Sequence, residues 1–269
     1  QVWHAMESPT DRITAELVLP DLQTRVVGKT LHCFDSIDST NSRAKQLAGE
    51  GAPDGAVVVA EHQTGGRGRL SRSWEAQPYS CILCSIIFRP ALQPEDLFRL
   101  TMMASIAVVD ALRAAAEIRA GIKWPNDVYA GGKKICGILT ETECTAQAVQ
   151  YAVVGIGINV NWHLKGHREL GGSATSLRDV CGSAISRVRL LQELLRRLDA
   201  LYGSIHDGKG LHSQWLQRCM HLGRPVRIVS ERDALEGIAR GITEQGRLLL
   251  ESADGRMHEI ICGDVSLRL

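Results

Sequence analysis

Two apolar runs of strand length, Val57-Val58-Val59-Ala60 and Cys81-Ile82-Leu83-Cys84-Ser85-Ile86-Ile87-Phe88, are separated by Glu61-His62-Gln63-Thr64-Gly65-Gly66-Arg67-Gly68-Arg69-Leu70-Ser71-Arg72-Ser73-Trp74. No other feature restricts the fold as much. Gly66-x-Gly68 opens like a dinucleotide fingerprint, but Ser71 stands where the third glycine belongs, and that fingerprint must lead into a helix of a βαβ unit. Pro78 and a second strand follow here instead. No Gly-x-x-x-x-Gly-Lys-Ser/Thr phosphate loop is present. The doubly wound nucleotide folds are therefore excluded, leaving two strands joined by a cationic loop. Glycine lets the backbone come close to a ligand. Arginine brings a permanent charge and a planar donor fork suited to phosphate and carboxylate. The segment reads either as a grip for a nucleotide or as a solvated basic loop.

The remaining bulk properties are ordinary. A chain of 269 residues has room for one large domain and a small one. Its 44% hydrophobic and 23% charged content is that of a globular protein. A net charge of +1 gives no bulk attraction to nucleic acid or membrane, so any cationic function is local. No apolar run approaches the roughly 20 residues of a membrane span, and no signal peptide is recognisable. The sequence opens on Gln1, with Met6 a candidate native start. Its eight cysteines lie scattered in apolar segments, the pattern of reduced thiols in a cytoplasmic protein. Cys81-x-x-Cys84 has metal-like spacing but no complementary pair, and residues three apart on a strand point to opposite faces, so no metal site is expected.

Along the chain, residues 1–30 read as an N-terminal arm and residues 30–34 as a strand. Asp38-Ser39-Thr40-Asn41 are capping residues ahead of a short helix that stops at Gly51. Pro94-Glu95-Asp96 opens a long helix with a buried stripe from Leu97 to Leu112. Residues 122–129 read as one strand interrupted by Pro125, and Gly131-Gly132 as a two-residue hairpin turn. Strands are expected over 133–142 and 151–160, then amphipathic helices over 186–201 and 210–220. From Gly223 onward short strands with turns at Gln245-Gly246 and Asp254-Gly255 give the pattern of a small β-barrel.

Strand parity singles out Lys134. Provided no bulge intervenes, it shares a face with Cys136, Ile138 and Thr140, while Lys133, Ile135, Gly137, Leu139 and Glu141 take the other. Its ammonium would either snorkel to water or meet an anionic ligand. Asn126 and Asp127, beside Pro125, and Asn159, after Gly155 and Gly157, read either as turn residues or as ligand contacts. No Ser/His/Asp grouping or Gly-x-Ser-x-Gly points to nucleophilic catalysis. A cationic loop, a lysine, amides and hydroxyls suit a reaction driven by positioning and charge neutralisation, as phosphate displacement is.

Taken together, Asp38-Ser39-Thr40-Asn41, Gln63 with Gly66-Arg67-Gly68-Arg69, Lys123-Trp124-Pro125-Asn126-Asp127, Lys134-Ile135-Cys136-Gly137-Ile138-Leu139 and Gly157-Ile158-Asn159 resemble the biotin–protein ligases in order and spacing. The resemblance runs from about Leu31 to the closing Gly263-Asp264-Val265-Ser266-Leu267-Arg268. It implies an α+β fold: a catalytic domain over 31–222, built on a central mixed β-sheet flanked by helices and related to class II aminoacyl-tRNA synthetases, and an SH3-like domain over 223–269. With few residues before Ser39, the chain resembles the ligase-only type, without an N-terminal DNA-binding domain.

The resemblance also implies a chemistry. Biotin and ATP, with Mg²⁺, would give biotinyl-5′-AMP and pyrophosphate. The lysine of a biotin carboxyl carrier domain would then take the biotinyl group. Ser39, Thr40, Asn41, Gln63, Arg67, Gly68 and Arg69 would meet biotin, with Lys134 between its carboxylate and the α-phosphate. Arg67, Arg69, Trp74, Asn126, Lys134, Asn159 and Arg268 would serve ATP. Arg69, Lys134 and Asp127 would carry the reaction, Asp127 by orienting or deprotonating the acceptor amine. No DNA and no membrane partner is expected, and a homodimer is left open. Two alternatives are a lipoate or octanoate ligase and a non-enzymatic sensor of biotinyl-AMP. One departure from the pattern is Leu70-Ser71, where many relatives carry glycine at the second position; it leaves the closure geometry of the loop open.

Overall fold

A computed structural model describes residues 11–144, 149–229, 234–261 and 263–267. A short helix, α1 (Ala15–Val18), leads into the first strand, β1 (Leu31–Ile37), and α2 (Thr40–Gly49). The strands β2 (Val57–Gln63) and β3 (Cys81–Phe88) flank the glycine-arginine loop. A 3₁₀ turn at Pro94–Asp96 opens the long helix α3 (Phe98–Ala116). Then come β4 (Ala120–Lys123), β5 (Asp127–Ala130), β6 (Lys133–Cys144), β7 (Val149–Asn159) and the helices α4 (Leu177–Cys181), α5 (Arg187–Tyr202) and α6 (Gly208–Arg218). The chain closes with β8 (Pro225–Val229), β9 (Ala234–Ile242), β10 (Leu248–Glu251), β11 (Met257–Ile260) and β12 (Asp264–Leu267).

β1 to β7 form one mixed sheet in the order β1-β2-β3-β7-β6-β5-β4, with β1 parallel to β2 and every other pair antiparallel. Period-two alternation gives the sheet two distinct faces. Ile82, Cys84 and Ile86 of β3, Val154, Ile156 and Ile158 of β7, and Cys136 and Ile138 of β6 join the core built with α3 and α5. On the opposite face, Ala44, Leu47 and Ala48 of α2 pack on Val58, Ile87 and Val153 in a smaller cluster. The site lies on this second face, where α2 leaves the sheet uncovered. At the start of α2 the Ser39 side chain accepts from the Ser42 N–H, the capping role its sequence position implies.

β8 to β12 form a five-stranded antiparallel sheet in the order β11-β10-β9-β8-β12. Its turn at Gly246 is pressed against the β4–β5 turn and α3: Trp124 Nε1 donates to the Gly246 carbonyl (2.8 Å), and a Cβ there would fall 2.0 Å from Phe98 Cδ1. With φ at +81° and no space for a side chain, this position is restricted to glycine twice over.

Two sequence expectations are corrected. Residues 122–129 are a hairpin rather than one interrupted strand: β4 and β5 pair Lys123 with Asp127, and the chain reverses through the cis Trp124–Pro125 bond. The turn at Gly131-Gly132 is as expected, both residues having positive φ, but a bulge follows it. Val128 pairs with Cys136 and Tyr129 with Lys134, so Ile135 is the extra residue. The bulge reverses the parity of Lys134 and puts it on the face of Gly137 rather than that of Cys136: a Cβ at Gly137 would lie 3.2 Å from Lys134 Cε. On its other edge its backbone bonds the segment before α4, donating to Ser173 O (3.0 Å) and accepting from Thr175 N (2.8 Å).

Candidate active site

The glycine-arginine loop folds back on itself as a small hairpin. Trp74 N donates to Gly66 O (2.9 Å), Gly68 N to Arg72 O (2.6 Å), and Arg67 pairs with Ser73. Leu70 (φ +53°) and Ser71 (φ +57°) occupy its tip, both in the left-handed region that side chains enter at a cost. Two side chains tie the hairpin down over the sheet. Arg67 Nη2 donates to Glu141 Oε2 (2.9 Å), and Arg69 Nη1 donates to Asn126 Oδ1 (3.0 Å).

Beneath it a cavity opens, walled at one end by Ser39, Thr40, Asn41 and Gln63 and at the other by Arg69, Asn126, Asp127 and Lys134. The first end is a chain of hydrogen bonds. Thr40 donates from both its backbone N–H (2.7 Å) and its hydroxyl (2.9 Å) to Gln63 Oε1. The Ser85 hydroxyl lies 2.8 Å from Thr40 Oγ1 and 2.6 Å from Asn41 Oδ1. Asn41 Nδ2 donates to Glu141 Oε2 (2.8 Å) and Leu139 O (3.2 Å). Fixed donors and acceptors of this kind match a ligand that carries both, such as a cyclic urea.

The second end is cationic. Lys134 Nζ sits 2.7 Å from Asp127 Oδ1 and 5.5 Å from the centre of the Trp74 ring. Asn126 donates to Ile138 O (2.6 Å) while accepting from Arg69, so it links hairpin and sheet. Between the two ends Gly137 and Gly157 are paired partners on β6 and β7, and Trp74 lies directly over them. Cβ atoms there would come within 2.8 and 2.6 Å of its indole. The indole Nε1 is buried and has no hydrogen-bond partner among the described residues.

The structure thus gathers Ser39, Thr40, Asn41, Gln63, Arg67, Gly68, Arg69, Trp74, Asn126, Asp127 and Lys134 around one cavity. Asn159 is not on its wall. It is 4% exposed, and its amide donates to Thr175 O (3.1 Å), which anchors the segment before α4. Arg268 lies outside the described residues. Sequence reading missed Ser85, Glu141 and the glycine floor. Parity offered a signal for Glu141, because it shares a face with Gly137 and Leu139. Among the described residues no group of three or more His, Cys, Asp or Glu is placed to hold a metal ion.

Comparison with known proteins places this geometry in context. Residues 33–159 match the biotin/lipoate A/B protein ligase family, and residues 221–268 match the biotin protein ligase C-terminal domain. The chain is 34% identical over 267 residues to a biotin–[acetyl-CoA-carboxylase] ligase of Mycobacterium tuberculosis, covering 95% of this chain and 97% of the relative. It is 38% identical over 249 residues to a bifunctional ligase/repressor BirA of Bacillus spizizenii, covering 91% and 76% of the two chains. Among solved structures, the biotin protein ligase of Aquifex aeolicus in complex with biotin and ATP superposes with a TM-score of 0.75 at 31% identity, covering 89% of this chain and 99% of the other.

Proposed function

The chain belongs to the biotin protein ligases, and from that premise we propose how its residues carry the two half-reactions. The protein is an ATP-dependent ligase that activates biotin as biotinyl-5′-AMP and transfers it to a lysine of a biotin carboxyl carrier domain. In the first step a carboxylate oxygen of biotin attacks the α-phosphorus of ATP, the bond to the β-phosphate breaks, and pyrophosphate leaves. In the second, the acceptor amine attacks the mixed anhydride, AMP leaves, and the amine gives up a proton.

The observation that carries the assignment is the polarity of the cavity. A hydrogen-bonding end stands opposite a cationic end, with the Trp74 indole seated on two glycines between them. We place the ureido ring against Ser39, Thr40, Asn41 and Gln63, beside Arg67 and Gly68. We place the carboxylate and α-phosphate together at Arg69 and Lys134. Bringing two anions together requires positive charge at their meeting point, and Lys134 stands there on its bulge. The Trp74 indole supplies a flat surface for adenine, with Asn126 and Arg69 beside the nucleotide. Asp127, paired with Lys134, is placed to receive the proton of the acceptor amine. In this reading residues 31–222 are the catalytic domain and 223–269 a small domain docked on it.

Mg²⁺ would enter with ATP, and since few carboxylates converge in the cavity, the phosphates themselves would supply most of its ligands. We place the enzyme in the cytoplasm, where its seven free cysteines among the described residues stay reduced. No helix among the described residues is long and apolar enough to cross a membrane. A net charge of +1 gives no bulk attraction to DNA, so we propose a carrier protein, and not an operator, as the macromolecular partner. Pyrophosphate release tests the reading: release with biotin and ATP but not with lipoate supports it. Release with lipoate alone moves the chain to the sister activity, and release with neither leaves only a binding protein.

A further inference from the structure

No motif in the sequence contains Glu141, yet both the hydrogen-bonding end of the cavity and the cationic hairpin return to it. Its Oε1 accepts from Lys45 Nζ (2.8 Å), and its Oε2 from Asn41 Nδ2 (2.8 Å) and Arg67 Nη2 (2.9 Å). Burial raises the affinity of this carboxyl for a proton. The hydrogen bonds from Lys45 and Asn41 and the charge of Arg67 outweigh that, holding it below the usual carboxylate range. A carboxylate only accepts, so it leaves Asn41 one orientation: Nδ2 toward β6 and Oδ1 toward Ser85. The Ser85 hydroxyl, 2.6 Å from that oxygen, gives it its single hydrogen, while Gln63 is oriented separately, its Oε1 accepting from the Thr40 N–H and hydroxyl. Gln63 Nε2, the donor end of its amide, has no hydrogen-bond partner among the described residues. Gly155 makes the arrangement sterically feasible: a Cβ there would lie 2.1 Å from Asn41 Oδ1.

We propose that Glu141 is a positioning residue for biotin recognition: its charge fixes the orientation of Asn41, and through it the Ser85 hydroxyl, and holds Arg67 over the same end of the cavity, without itself touching biotin. This rests on assigning that end to the ureido ring. Among the described residues Glu141 bonds neither Arg69 nor Lys134, and Arg69 keeps its own tie to Asn126, so the loss of Glu141 falls more heavily on biotin than on the phosphates.

The test is steady-state pyrophosphate release, with biotin and ATP varied separately, for the wild type, Glu141→Gln, Glu141→Asp and Gln63→Ala. Glu141→Gln keeps the size and removes the charge; losing one charge-assisted acceptor raises KM for biotin roughly tenfold or more. KM for ATP and kcat change several-fold less than KM for biotin, since Arg69 keeps its tie to Asn126 and Lys134 its place beside Asp127. Glu141→Asp keeps the charge on a shorter arm and recovers part of the loss. A KM for biotin within about twofold of wild type in Glu141→Gln overturns the proposal. So does a parallel loss of kcat and both KM values with a lowered Tm, which marks a residue that only supports the fold. If Gln63→Ala also leaves KM for biotin unchanged, the ring-end assignment itself falls. If it raises KM while the Glu141 variants do not, the assignment stands and only the role of Glu141 is refuted.

Discussion

Replacing Lys134 by alanine should slow adenylation far more than it weakens biotin binding, and the geometry sets the size of the effect. Lys134 Nζ is held 2.7 Å from Asp127 Oδ1, with the two side chains 31% and 21% exposed. Neither is free in water, and neither is dry. A unit charge at about 4 Å in an effective dielectric of 20 is worth about 4 kcal/mol before desolvation. Part of that attraction is already engaged by Asp127. The net value of a hydrogen bond to a charged group, about 1.5–3 kcal/mol, is the better guide, and it corresponds to a fall of roughly 10- to 150-fold in the rate of pyrophosphate release. Calorimetric affinity for biotin should change only a few-fold, because the ring end of the cavity is built from other residues.

The ion pair adds a sign that a surface lysine would not give. In Lys134→Ala the Asp127 carboxylate loses its cation and faces two incoming anions. The double variant Lys134→Ala/Asp127→Asn removes that repulsion and should form adenylate faster than Lys134→Ala alone, although still more slowly than wild type. Stopped-flow or coupled pyrophosphate detection over a single turnover measures both. Release by Lys134→Ala within about twofold of wild type refutes the assignment. A double variant slower than the single one refutes the account of the pair.

Three further outcomes follow from the same structure. Arg69 stitches the hairpin to Asn126 (3.0 Å), so Arg69→Gly should still form adenylate but retain it poorly; serum albumin incubated with the variant, biotin and ATP should then carry more biotin than with wild type, and equal labelling would contradict a lid role. The hairpin tip at Leu70-Ser71 holds two non-glycine residues at φ of +53° and +57°, where Asn-Gly is the favoured pair. Leu70→Asn/Ser71→Gly should stabilise the hairpin by about 1–2 kcal/mol, slowing amide exchange at Gly68 and Trp74 roughly 5- to 30-fold, and unchanged exchange would show the tip is unstrained. His221 is fully buried; burial first, then the nearby Lys123, pull its pKa down to about 4, against the opposing Ile122 carbonyl. Its folded value lies below its unfolded one, so stability is complete above about pH 6.5 and is lost as pH falls from there through 4. Between pH 7 and pH 5 urea unfolding should show a loss of about 2 kcal/mol from this group, which His221→Gln removes; matching pH profiles would rule it out.

Much of the fold could be read from one dimension because the signals were local. The capping residues before α2, the proline and acids before α3, and the glycine pair between β5 and β6 each act on their own neighbours. What failed depended on partners far along the chain. Nothing in Trp124-Pro125-Asn126 itself says that the strand on its far side doubles back against Lys123. The face of Lys134 could not be read from parity, because the bulge at Ile135 exists only in the pairing with β5, and Lys134's own N–H and carbonyl bond Ser173 and Thr175 about 40 positions away. The five-residue α4 was too short to show a period. In the site, residues inside motifs were found, whereas Ser85 and Glu141 were not. Their value lies in contacts to Asn41 from 44 and 100 positions away.

The glycines of β6 and β7 show why such contacts matter to the chemistry. Inside a strand, glycine normally weakens pairing and contributes no packing. Gly137, Gly155 and Gly157 are not at positive φ, so conformational freedom does not explain them. Volume does. An added Cβ would strike Trp74 at 137 and 157 and Asn41 at 155. All three lie on the site face, on the two adjacent strands. The glycines therefore let Trp74 and Asn41 sit close against the sheet, and a glycine itself offers a ligand nothing to discriminate by. Discrimination has to come from what surrounds the floor: α2 and β2 at one end, the hairpin and the Lys134 bulge at the other. Gly155→Ala would test this division of labour, since it leaves both sets of polar groups chemically intact while displacing Asn41. It should raise KM for biotin and leave KM for ATP near wild type; an equal rise in both would mean that the floor, and not its rim, selects the substrate.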